Sequence, residues 1–228
     1  MASSINNLID QYPKEVFYCT VVFALIFSRI PYVGKVVRVI NTMIHETGHA
    51  LMTLMLSGEV VKIDLFSDTS GRATTKSSSK LTAFFISIAG YPFASITAFG
   101  TFYLFTKENF LIPVIVFLSI ALINLIFWVR NLYGIIWLLV FLSSCFGLIY
   151  LGEKNWIYVF SVFISSILLV DSIVSASVVC YLSITNPKAS GDASNLKDQS
   201  YVPAFIWGIL FFAQALFFGY LTVCLYIE

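Results

Sequence analysis

Charge, proline and asparagine divide the sequence into seven apolar stretches, each near the length that a hydrocarbon layer demands, and this pattern governs what the chain can fold into. They run over 16–30, 33–56, 81–105, 110–129, 133–151, 156–182 and 202–226. Within lipid every backbone N–H and C=O needs a partner in its own segment, so such stretches fold as helices. The composition agrees: 59% of the 228 residues are hydrophobic and 11% charged, more apolar surface than a water-soluble fold can hide. The expected fold is therefore an all-α polytopic membrane protein, one membrane-embedded domain over 1–228 with about seven transmembrane helices. The first stretch is short and closed by Pro31, and few charges bound the stretches at 110 and 133, so six spans or a re-entrant segment fit the same pattern. Thirteen basic against 12 acidic residues give a net charge of +1, which excludes the cationic footprint of a nucleic-acid binder. The basic residues split eight to five between the two sides and do not orient the chain. Cys19, Cys145, Cys180 and Cys224 stand singly in apolar runs and read as packing residues.

Two polar stretches interrupt the pattern. Residues 59–80 read as strand, turn and strand: Val60 to Phe66, a Ser67-Asp68-Thr69-Ser70-Gly71 turn, then Arg72 to Lys76, a small β-hairpin at the membrane surface. Residues 183–200, with Asn186-Pro187 and Gly191-Asp192, read as a loop between the last two spans.

The only two histidines frame His45-Glu46-Thr47-Gly48-His49. Four residues make about one helical turn, so both imidazoles leave the same face and can share a Zn²⁺ ion. Glu46 lies about 100° round the helix, within reach of water activated there, whose proton it would take and pass to a leaving nitrogen. Asn41, Thr42, His45, Glu46, His49 and Thr53 share one arc of about 140°, a polar wedge that faces a helix bundle. An ionisable group inside a span costs roughly 3 kcal/mol on insertion scales, which favours a functional origin for this wedge.

Two histidines leave room for a third protein ligand and an open position. Asp171 is the other acidic residue well inside a span, on a helix side it shares with Ser161, Ser165, Ser172 and Ser175, and is the candidate third ligand. Its alternative is a buried neutral carboxyl bonded to a neighbouring Ser or Asn. Asp192 is the rival, in a loop able to fold back, or else a solvated turn residue after Gly191.

Ile44-His45-Glu46-Thr47-Gly48-His49-Ala50, the polar hairpin, Ala89-Gly90-Tyr91, Val129-Arg130-Asn131, Asp171 and Gly191-Asp192-Ala193-Ser194 occur in an order that resembles the site-2 protease class of intramembrane zinc metalloproteases, and most of all its small membrane branch. The resemblance covers 42–207, and its HExxH piece is the specific one. It implies hydrolysis of peptide bonds in membrane-spanning protein substrates, in a multi-pass protein of the lipid bilayer. It also implies a third zinc ligand from an Asp in a later span, the place of Asp171 by order, although Val170-Asp171-Ser172 lacks the Asn-Pro before and the Gly after that the class carries.

A transmembrane substrate arrives as a helix and has to be unwound before its peptide bonds can be attacked. A strand edge over 60–66 or 72–76 would pair with the freed backbone, unless the hairpin is a connector that shields the cleft. Pro92 is expected to kink the third span, and Arg130-Asn131 to anchor at the interface. The competing function is a non-proteolytic polytopic protein, a metal-binding scaffold or transporter, that keeps the motif.

Overall fold

The computed structural model describes residues 13–227; the polar start at 1–12 and Glu228 lie outside the described residues. Eight α-helices follow in order among them: α1 Pro13–Phe27, α2 Val33–Met55, α3 Lys80–Phe105, α4 Leu111–Ile123, α5 Leu132–Leu151, α6 Lys154–Thr185, α7 Asp192–Ser200 and α8 Ala204–Cys224. A hairpin of β1 Glu59–Leu65 and β2 Gly71–Lys76 follows α2. Its strands are antiparallel, with a bulge between Val60 and Lys62.

Local chemistry sets the boundaries. Ser79 caps α3 by accepting from the Thr82 N–H, and the Thr82 hydroxyl accepts in turn from the Ser79 N–H. Gly152, in the left-handed conformation, closes α5, and Asn186-Pro187 ends α6. Span α4 continues through a π turn, Asn124–Trp128, and the carbonyls of Ile126, Phe127 and the following Val129 accept from the Arg130 guanidinium. Helix α3 runs without interruption through Pro92.

Five described helices are long and apolar enough to cross a membrane: Lys80–Phe105, Leu111–Trp128, Leu132–Leu151, Lys154–Thr185 and Ala204–Cys224. The protein is a multi-pass integral membrane protein. The expected count of about seven is not confirmed: five of the described helices meet the length and composition of a span. Helix α1, at 15 residues, is shorter than a span, and α2 carries the polar wedge. Leu51 and Leu54 of α2 are exposed, whereas Val39, Ile40, Met43 and Ile44 are wholly buried. This helix lies inside the molecule, packed against α3, α6 and both strands. Of the four cysteines only Cys145 is buried, and Cys19 is exposed.

The segment expected as a loop over 183–200 is instead a short turn, Pro187–Ala189, followed by α7. Gly191, at φ +55°, supplies the left-handed step that α7 starts from. Ala193 and Leu196, one turn apart, are fully buried among Tyr91, Ala176 and Phe211, and this apolar contact folds the segment back onto the bundle.

Candidate metal centre

Helix α2 brings His45 and His49 to one wall of a cavity of about 500 Å³, and the first residue of α7, Asp192, faces them across it. The His45 Nε2 and His49 Nε2 atoms are 3.0 Å apart, and each lies 3.1 Å from Asp192 Oδ2. Among the described residues these three form the group whose ligand atoms converge as a metal site requires.

The donor chemistry fits a metal ion. The His49 Nδ1–H donates to the Ile86 carbonyl at 2.6 Å, which leaves a lone pair on Nε2 pointing at His45 and Asp192. Two imidazole nitrogens and a carboxylate oxygen at this spacing repel one another unless a cation lies among them. Four ligands at about 2.0 Å around zinc stand roughly 3.3 Å from one another, close to the observed triangle.

Supporting contacts fix the pair. The Tyr91 ring packs edge-on against His45 at 4.5 Å between centroids. Beside it Gly90 allows α3 to approach the imidazoles. The Thr47 hydroxyl bonds its own helix at Met43 and accepts from Asn124 Nδ2, which ties the motif helix to the π turn.

Glu46 lines the same cavity, and its Oε2 accepts from the Ala73 N–H of β2 at 2.7 Å. The hairpin roofs the cavity with Thr69 to Ala73, held to α2 by the Thr42 hydroxyl donating to the Thr69 carbonyl.

Asp171 is not brought to the histidines. Its Oδ1 accepts from Arg38 Nε at 2.6 Å, with Arg29 at 3.6 Å. Asp192, the rival candidate, is the aspartate that stands beside the histidines, and the position of Asp171 has a plain cause: a buried carboxylate needs a cation, and for Asp171 that cation is a guanidinium from α2. Asn131, expected with Arg130 as an interfacial anchor, also holds the hairpin. Its Nδ2 donates to the Leu65 carbonyl, and its Oδ1 accepts from the Leu65 N–H.

Residues 18–222 match the model of one family, described as Peptidase M50B-like. The chain belongs to that family. Membership in the M50B-like peptidases agrees with the resemblance to the site-2 protease class and marks the protein as a metallopeptidase. No curated protein and no solved structure matches the chain.

Proposed function

We propose that this M50B-like protein is an intramembrane zinc metalloprotease that hydrolyses peptide bonds of membrane-embedded proteins, with His45, His49 and Asp192 as the metal ligands and Glu46 as general base and acid. One observation carries the reading: two imidazole lone pairs and a carboxylate oxygen converge at 3.0–3.1 Å beside a carboxylate held in the same cavity. Zinc bound to such a set supplies a Lewis acid for the scissile carbonyl and lowers the pKa of water at its open position.

The chain's own residues do the rest. His49 is locked in orientation by the Ile86 carbonyl, and His45 is braced by Tyr91. Glu46 takes the proton of the attacking water and delivers it to the departing amide nitrogen. An unwound substrate segment lies along β2, pairing with outward main-chain groups on either side of the Ala73 N–H. The hairpin also keeps lipid off the cavity.

The test is cleavage of a membrane-spanning reporter by the purified protein, alongside its zinc content. Glu46→Gln should abolish cleavage and keep the metal. A non-proteolytic metal-binding scaffold or transporter would bind zinc and leave the reporter intact in both forms.

A further inference from the structure

Strand β1 is held on its outer edge by the segment that follows the π turn. Ile63 bridges in parallel to Val129, the Arg130 N–H donates to the Ile63 carbonyl at 3.3 Å, and Asn131 brackets both main-chain groups of Leu65. In an antiparallel pair, residues whose N–H and C=O point away from the partner strand face one another. Ile63 faces Ala73 and Leu65 faces Gly71, so the outward groups of these β1 residues meet 129–131, while the outward N–H of Ala73 meets Glu46. The chain of contacts is continuous: Asn131 to Leu65, Leu65 to Gly71 as directly opposed residues held by the ladder bonds of their neighbours, and two residues on, Ala73 to the Glu46 carboxylate.

The fit at the far end is close. A Cβ on Gly71 would lie 2.6 Å from Glu46 Oε1 and 2.5 Å from Thr42 Cγ2, so a shift of β2 by even a methyl radius changes where the carboxylate sits. Bonding by Ala73 occupies Oε2 and leaves Oε1 for a proton.

We propose that Asn131 is a positioning residue for the general base: by gripping Leu65 it sets the hairpin so that the Ala73 N–H fixes the Glu46 carboxylate. The hairpin is then part of the catalytic geometry as well as a roof over it. The assignment rests on the reading of Glu46 as the base, but the contact chain itself does not depend on activity.

Two measurements on the full chain in lipid nanodiscs test it. In hydrogen–deuterium exchange the Ala73 amide should be protected in the parent and in Glu46→Gln, whose side-chain carbonyl still accepts. It should exchange about 10-fold faster or more in Glu46→Ala and in Asn131→Ala. An Asn131→Ala protein whose Ala73 amide stays as protected as the parent's overturns the proposal. In reporter cleavage, Asn131→Ala and Ala73→Pro should each lower kcat about 10-fold with KM within about twofold, and the double variant should be no slower than the slower single one, because both act through one hydrogen bond. Ala73→Pro removes an edge N–H that the ladder does not use, so the strand tolerates it even if Asn131→Ala loosens the whole hairpin. Losses that multiply to about 100-fold in the double variant, or an Ala73→Pro kcat equal to the parent's, also overturn it. A parent that cleaves nothing would sink the protease reading, while the exchange data would still decide whether Asn131 holds the Glu46 contact.

Discussion

Gly90 of α3 lies so close to His49 of α2 that a single added methyl would meet the metal-binding edge of the ring: a Cβ there would stand 2.6 Å from His49 Nε2, and as near to His45 Nε2. Gly90→Ala is expected to keep the fold and lower zinc affinity about 10-fold or more, the scale on which support around ligands acts. Isothermal titration or competition with a zinc chelator measures it. An alanine variant that binds zinc like the parent would show that the imidazoles have room to move.

The two aspartates should separate cleanly. Asp192→Ala should weaken zinc by about 100-fold or more, at least what loss of an outer-shell partner costs. Asp171→Ala should retain about one zinc per chain but strand the Arg38 guanidinium without its counterion, a loss on the order of 3 kcal/mol seen as a lower melting temperature. Zinc content and thermal denaturation of both variants decide it, and the opposite pattern would return the ligand role to Asp171.

Leu196 reaches the metal centre only through packing. It is wholly buried under α7, and a Leu→Ala change at such a site costs about 2–5 kcal/mol, more than a nine-residue helix can lose and stay docked. Leu196→Ala should therefore reduce zinc affinity although residue 196 touches no ligand. Proteolytic sensitivity confined to 187–203, rising together with zinc loss, would establish the link.

Glu46→Gln should leave zinc bound and reduce turnover by roughly 100- to 10,000-fold, the contribution of a well-placed general base. Gln still accepts from Ala73, so the hairpin should stay in place. Near-parental turnover would reduce Glu46 to a structural partner of β2.

The helical membrane architecture, the hairpin and the His45/Glu46/His49 constellation were legible because each rests on local spacing: apolar runs, a polar turn between short strands, and one helical turn between imidazoles. Asp192 and not Asp171 stands beside the histidines, and the surroundings of these two aspartates are not local. The cation that satisfies Asp171 is 133 residues away in the chain, and no periodicity announces an ion pair between two helices. For Asp192 a faint signal did exist. Ala193 and Leu196, apolar and one turn apart in an otherwise polar stretch, describe a short helix with a face to bury. Asn131 stood out only as part of Val129-Arg130-Asn131 and as an interfacial anchor; its grip on Leu65, 66 residues away in the chain, follows no local spacing.

The Arg38–Asp171 pair bears on how the protein is made. Helix α2 carries Lys35, Arg38 and Glu46, a charge at mid-span costs roughly 3 kcal/mol on insertion scales, and α2 is not among the five described helices long and apolar enough to cross a membrane. The carboxylate that neutralises Arg38 is synthesised 133 residues later. At translation rates of about 5–20 residues per second, Asp171 is made some seconds after Arg38. The polar centre is completed later still: Asp192 follows His45 by 147 residues, so its three side chains can meet only once most of the protein has been synthesised.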